Sequence, residues 1–252
     1  MRILIGEVPI DAVTFEGALD AIDRLVEAGQ GGSVFTPNLD HVVKVDRDPA
    51  AREAYAAVSL SLADGMPLVW ASRLLRTPLP EKVSGSDLIL PLMRRAARKK
   101  WRVYLLGARP EVARAAADKL EREGVIIAGI DSPVVRSDGG AADDVLERVR
   151  KARPQLLIVA LGFPKQERFS HRYADALRPA VALGLGGTLD FITGAVRRAP
   201  RWMQRAGLEW LCRLLQEPRR LARRYLIEDP RFALIFLRAL GTPREKRILS
   251  GR

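Results

Sequence analysis

The chain of 252 residues contains one cysteine, Cys212, so no disulfide can close within it, and that scarcity fits a reducing compartment. With only two histidines beside that cysteine, a His/Cys zinc cluster is excluded. No uncharged apolar run approaches the roughly 20 residues that a bilayer-spanning helix needs. The N-terminus, "MRILIGEVPIDAVTFEGALD", lacks an apolar centre followed by a small-residue cleavage site, so no signal peptide is read there. Repeats and low-complexity linkers are also missing. These absences point to a cytoplasmic protein without a membrane span. What is present is an ordinary globular balance, 48% apolar and 29% charged, which argues against disorder. The length suits one substantial α/β domain with an appendage.

The net charge of +12 is unevenly placed. Residues 197–252 hold fifteen Lys/Arg against five Asp/Glu, whereas the preceding 196 residues hold 27 against 25. A localised basic excess implies an anionic partner for the tail.

Up to about residue 196, apolar β-type runs alternate with helical periodicity, the pattern of βαβ units and a mostly parallel sheet covered by helices on both faces. Strands are expected at 2–6, 33–37, 58–63, 101–107, 124–130, 156–162 and 180–186. "FEGALDAIDRLVEAG" and "PEVARAAADKLEREG" read as amphipathic helices, the second closed by Gly124. After residue 200 the chain becomes arginine-rich and helical, with no further strand expected. The division is therefore a Rossmann-like α/β core, 1–196, and a basic helical appendage, 197–252.

In such a sheet, ligands bind beyond the carboxyl ends of the strands. The segments there read "TPNLDH", "ADG", "GAR", "GFPKQE" and "GLGGTLD", rich in Gly, Asn, Gln and Asp. Their convergence predicts one binding cleft. "GLGGTLD" raises a dinucleotide site, but Leu189 stands where G-x-G-x-x-G requires glycine, and no Walker pattern occurs. A nucleotide-linked substrate on backbone N–H groups and a plain strand–helix turn both remain open at Gly186 and Gly187. Asp46 and Asp48 have the D-x-D spacing of some divalent-metal sites, yet they fall at a helix break before Pro49, where capping explains them better. His41 and His171 read as packed or solvated.

Asp64 is different. It ends an apolar strand beside Gly65, where desolvation would raise its pKa and make it a usable general base; turn-capping by Asp before Gly is the competing reading. In the tail, Trp202, Trp210, Leu211, Leu214 and Leu215 lie among Arg205, Arg213, Arg219, Arg220, Arg223 and Arg224. That mixture suits an anionic lipid interface, and arginines can also clamp a pyrophosphate. A basic helix would equally satisfy nucleic acid, but no nucleic-acid motif accompanies it. Packing on the core with arginines outward is the third possibility.

"TPNLDHVVK", "ADGMPLVW", "VSGSDL", "YLLGARPEV", "LGFPKQERF" and "GLGGTLDFITGAVRRAPRWMQRAGLEWLCRLLQEPRR" together resemble the bacterial WecG/TagA/CpsF family of glycosyltransferases, in the family's order, from about residue 33 to residue 224. The resemblance implies an inverting, metal-independent transfer from a UDP-sugar to a polyprenyl-diphosphate-linked sugar, with no cofactor. Such steps build teichoic acid linkage units, common antigen and exopolysaccharides. An N-acetylmannosaminyl donor and an N-acetylglucosamine acceptor are favoured, with a glucosyl- or uronosyl-transferase as the runner-up. A non-catalytic lipid- or nucleic-acid-binding module is the rival class, although a dead core would be expected to lose Asp64 or Gln166 and this one keeps both. The resemblance further implies peripheral attachment to the inner face of the membrane through the appendage; self-association is left open.

By the same resemblance Asp64 matches the catalytic base, and Thr36 and Asn38 match positions that contact the sugar or support the reacting centre. Gln166, with Glu167 beside it, matches a substrate-contacting glutamine. Arg213, Arg220 and Arg223 match arginines that close over the leaving diphosphate, while Gly186, Gly187 and Asp190 would serve the nucleotide end. The departure is Lys82, where the family usually carries arginine: lysine keeps the charge but loses the bidentate fork, which bears on donor contacts.

Overall fold

The runs that are apolar on both faces form the middle of a parallel sheet. A computed structural model describes residues 1–195, 199–200, 202–203 and 207–249, with the side chain of Arg220 left out. Its strands are β1 (Arg2–Ile5), β2 (Val8–Asp11), β3 (Gly32–Phe35), β4 (Leu60–Ser61), β5 (Arg102–Gly107), β6 (Ile126–Asp131), β7 (Leu156–Ala160), β8 (Val181–Gly184) and β9 (Ile248–Leu249). The helices of the first 195 residues are α1 (Phe15–Ala28), α2 (Leu39–Val45), α3 (Pro49–Ala56), α4 (Met66–Leu74), α5 (Gly85–Lys99), α6 (Pro110–Arg122), α7 (Asp143–Ala152), α8 (Lys165–Arg172) and α9 (Thr188–Thr193). Six strands make one sheet in the order β4-β3-β8-β7-β5-β6, every pairing parallel. The expected Rossmann-like α/β architecture is therefore present.

Helices cover both faces, which is why β7 and β8 are buried along their whole length. On one face Leu19 and Ile22 of α1, Leu88 and Leu92 of α5, and Leu120 of α6 pack on Val34, Leu105, Ile158 and Leu183. On the other, Val145 and Val149 of α7 and Phe169 of α8 pack on Leu106, Leu157 and Ala182. Capping follows from local sequence. Thr14 and Ser84 cap α1 and α5, and Gly124, at φ 84°, follows the end of α6 as expected. Asp48 caps α3 through the Ala51 N–H and pairs with Arg168, while Asp46 pairs with Arg238 at 3.1 Å. Both acids of the D-x-D run thus serve helix ends and ion pairs.

Two expectations are corrected. The run at 2–6 does not join the parallel sheet. Only two residues separate Ile5 from Val8, and a parallel pair needs a crossover of a dozen or more, so β1 and β2 form an antiparallel hairpin. Its Ile3, Ile5, Val8 and Ile10 make a separate core with α2, α3 and Ile235. Asp11 joins hairpin to sheet: it takes both arms of the Arg2 guanidinium, at 2.9 and 2.7 Å, and the Ser61 N–H at 2.9 Å. The second correction is β9, a strand beyond residue 200, in which Ile248 and Leu249 pair with Ile3 and Arg2.

From residue 207 the chain forms α10 (Glu209–Gln216), α11 (Pro218–Arg223), a π-helical turn at Arg224–Glu228 and α12 (Phe232–Gly241). Ile235 of α12 is buried against the hairpin. Arg247, also buried, donates to the carbonyl oxygens of Leu75, Ala239 and Thr242 and so ties α12 to the end of α4. The expected boundary at 196 and 197 lies outside the described residues. Among the described residues, no helix is long and apolar enough to cross a membrane.

Candidate active site

The carboxyl ends of β4, β3 and β8 open into one cavity of about 340 Å³. Asn38 and Leu39 enter it after β3, Asp64–Pro67 after β4, and Leu185, Gly187 and Thr188 after β8. The appendage supplies its other wall through Gly207, Glu209, Trp210, Arg213, Arg224, Tyr225 and Asp229. Gly207 is what allows that wall to come close: a Cβ there would lie 2.5 Å from the Trp70 ring. Trp210 and Tyr225 meet edge to face at 5.7 Å, and Arg213 lies over the Phe191 ring at 5.6 Å. The site is a mixed aromatic, cationic and acidic cleft, the composition expected for a polar ligand of substantial size.

Asp64 stands at the floor of this cleft. Its N–H donates to the Pro37 carbonyl at 2.8 Å, which fixes the turn against the end of β3. Gly65, at φ 129°, then swings the chain into α4 in a conformation that side-chain-bearing residues avoid. Among the described residues nothing donates a hydrogen bond to the Asp64 carboxylate. Burial pushes its carboxyl up to about 6; Lys82 opposes that rise, Glu209 adds to it, and Arg213 and Asp87 act more weakly in opposite directions. Lys82 holds Glu209 at 2.8 Å and Asp87 at 3.4 Å, so cation and carboxylates sit as one cluster beside Asp64. An unengaged carboxylate poised near neutrality in a cleft has the properties of a general base.

The sequence model of the glycosyl transferase WecG/TagA/CpsF family matches residues 3–246. The chain belongs to this family. It is similar to the N-acetylglucosaminyldiphosphoundecaprenol N-acetyl-beta-D-mannosaminyltransferase of Bacillus subtilis, 34% identical over 212 residues that cover 82% of this chain and 80% of the relative. The protein of the same name from Bacillus spizizenii is 32% identical over 217 residues, covering 84% and 81%.

The residues singled out by resemblance to the WecG/TagA/CpsF family divide into three groups. Asp64, Asn38, Gly187 and Arg213 line the cavity. Thr36, Gln166 and Glu167 lie buried beneath it and are not among its described lining residues. Gln166 spends its amide internally: Oε1 accepts the Gly186 N–H at 3.0 Å and Nε2 donates to Glu167 at 3.0 Å. It therefore braces the Gly186–Gly187 turn. The Glu167 carboxyl is pushed up to about 7 by burial, against the smaller opposing pull of the Gln166 amide. Lys82 and Asp190 flank the cavity through the Glu209 pair and the first turn of α9.

The arginines of the tail are also redistributed. Arg223 points outward, its side chain 81% exposed and 3.5 Å from Glu228. Its neighbour Arg224, one of the tail arginines but not one of those matched to the leaving diphosphate, lines the cavity. The side chain of Arg220, and Arg205, lie outside the described residues. His41 proves to be a packed residue with a partner: its Nδ1 accepts the Asn38 N–H at 2.9 Å while its own N–H donates to Asn38 Oδ1 at 3.3 Å. Burial drives its pKa down to about 3, consistent with a neutral ring acting as acceptor.

Proposed function

We propose that this glycosyltransferase moves an N-acetylmannosaminyl-type sugar from a UDP-sugar to a polyprenyl-diphosphate-linked N-acetylglucosamine, in the assembly of a cell-surface polymer. The observation that carries the reading is Asp64: a half-buried, unengaged carboxylate with its pKa near 6, facing a cleft walled by arginine. The printed names of both relatives support the sugar and the lipid-linked acceptor.

The reaction is a single displacement with inversion. The acceptor hydroxyl loses its proton to Asp64 as its oxygen bonds to the anomeric carbon, and the bond from that carbon to the diphosphate breaks on the opposite face. UDP leaves with the electron pair. Arg213, whose guanidinium forms no ion pair with a described residue, stabilises the developing charge, a contribution of a few kcal/mol for a well-placed donor, roughly. The residues used are Brønsted and hydrogen-bonding groups, and the reading assigns no role to a metal.

The chain works at the inner face of the membrane, and the described surface offers a contact for it. Leu226, Ile227, Leu234, Leu237 and Leu240 are all about half or more exposed, with Arg223 and Arg231 beside them. This apolar row extends, further along the tail, the patch expected from the sequence, of which Trp202, Trp210 and Leu215 are exposed as well. Exposed aliphatic residues flanked by arginine suit an anionic lipid interface.

The test is a transfer assay read by mass spectrometry, offering a panel of UDP-sugars and a short-chain polyprenyl-diphosphate-GlcNAc in EDTA. A product at the mass of one added N-acetylhexosamine from UDP-N-acetylmannosamine is expected. Transfer of glucose or a uronic acid instead would replace the donor assignment. Absence of product from every donor, with the acceptor sugar varied as well, would refute the reading.

A further inference from the structure

Arg224 is the first residue of the π-helical turn, and its guanidinium leaves the appendage to reach the N-terminus of α2. One arm donates to Asn38 Oδ1 at 3.0 Å. The Nε lies 3.5 Å from Asp40 Oδ2 and 3.8 Å from Asp229 Oδ2, and the guanidinium carbon sits over the Tyr225 ring, 5.2 Å from its centroid. A wide π-turn at a cavity wall is a recurrent way of aiming a side chain into a site. Asp40 is only 4% exposed, so its charge demands a cation, and it has two: Lys44 from its own helix at 2.9 Å and Arg224 from across the cleft.

The consequence falls on Asn38. Its Oδ1 accepts both the His41 N–H and the Arg224 guanidinium, which settles which way the side-chain amide points. The oxygen is used up inside the protein. The NH2 group has no acceptor among the described residues and is the half left to meet a ligand in the cavity that Asn38 lines. We infer that Arg224 is a positioning residue: seating the appendage on Asp40 locks the Asn38 amide as a hydrogen-bond donor toward the substrate. This rests on the transfer reaction proposed above, in which Asn38 supports the reacting centre. It explains how a segment outside the sheet can control chemistry at a strand end without itself supplying the base.

The decisive experiment is a double-mutant cycle in the full chain, with Arg224→Gln and Asn38→Ala alone and combined, read as kcat and donor KM. Lys44 still neutralises Asp40 in Arg224→Gln, and Arg224→Lys, which keeps the charge, provides a second variant. If Arg224 acts through Asn38, Arg224→Gln lowers kcat about tenfold in the wild-type background and less than about twofold when Asn38 is already alanine. Equal losses in both backgrounds, or no loss in the wild type, would overturn the inference. Hydrogen exchange on the same proteins separates its failure from that of the proposed reaction. Faster exchange at 38–42 and 207–231 in Arg224→Gln, with 156–160 unchanged, is expected whether or not the panel of sugars yields product. Unchanged exchange at 38–42 would overturn the positioning role by itself.

Discussion

Lys82→Met should move the acid limb of the pH–rate profile, and the structure sets the direction and rough size. The Asp64 carboxyl stands at about 6 because burial outweighs its neighbours, and Lys82 is the largest charge holding it down. Removing that ammonium also releases Glu209 and Asp87, now paired at 2.8 and 3.4 Å, to repel the Asp64 carboxylate. Loss of a nearby opposite charge commonly shifts a carboxyl by about one unit or more. For one unit, the ionised fraction falls from about one half to about one tenth at pH 6, and from about nine tenths to about one half at pH 7. A general base works only when ionised, so kcat/KM, which reports the groups of the free enzyme, should fall about fivefold further at pH 6 and about twofold further at pH 7 than it does at pH 9. A contact between Lys82 and the donor would lower the curve by one factor at every pH and leave the limb in place. The assay is the initial transfer rate between pH 5 and 9 for both proteins. A limb that stays in place, or moves to lower pH, would refute the electrostatic account of Asp64.

The buried Glu167 yields a stability prediction with a defined sign. Its carboxyl rises from an ordinary 4.5 to about 7 on folding, so the cost of ionising it grows as pH climbs through that window and is fully present above 7. Glu167→Gln should therefore melt higher than the wild type at pH 8, by something on the order of 2 kcal/mol, with the gap closing toward pH 4.5; a constant gap would remove the titration argument. Glu167→Leu deletes the acceptor of the Gln166 amide and should lose about 1–3 kcal/mol at pH 6, which urea unfolding would measure. At the surface, Leu234→Gln combined with Leu237→Gln should weaken sedimentation with anionic vesicles by at least about tenfold while leaving the melting temperature in place, because both side chains are 62% exposed. Undiminished vesicle binding would assign the lipid contact to another surface.

Much of the parallel sheet was legible because burial on both faces leaves continuous apolar runs, as in 156–160 and 181–184. The same rule misled at β1, since "RILI" reads alike in a hairpin and in a buried parallel strand; the two-residue gap to Val8 was the overlooked signal. Asp64 could be located because a strand end followed by Asp-Gly is visible in one dimension. Its elevated pKa comes first from burial, which the apolar strand anticipates; the opposing pull of Lys82 and the push of Glu209, separated by 127 residues, are encoded by no local pattern. Gln166 was picked out by family resemblance alone, and its hydrogen bond to the Gly186 N–H, twenty residues away, is a contact that no local pattern shows. Adjacent in sequence, Arg223 and Arg224 cannot be told apart by local pattern, and the resemblance favours Arg223. The π-turn at Arg224 and the buried charge of Asp40 bring Arg224 to the cavity wall.

The central claim is that Asp64 takes the acceptor proton, and Asp64→Asn tests it most directly. Asparagine keeps the size and the Pro37 hydrogen bond of the backbone but cannot accept the proton. The measurement is single-turnover transfer from bound donor, alongside calorimetric donor affinity for both proteins. The expected result is donor binding within about threefold of the wild type and transfer slowed by about 10²–10⁴-fold across pH 5–9, with the acid limb gone. Transfer at the wild-type rate with the limb still present would contradict the claim and return Asp64 to the role of a turn residue.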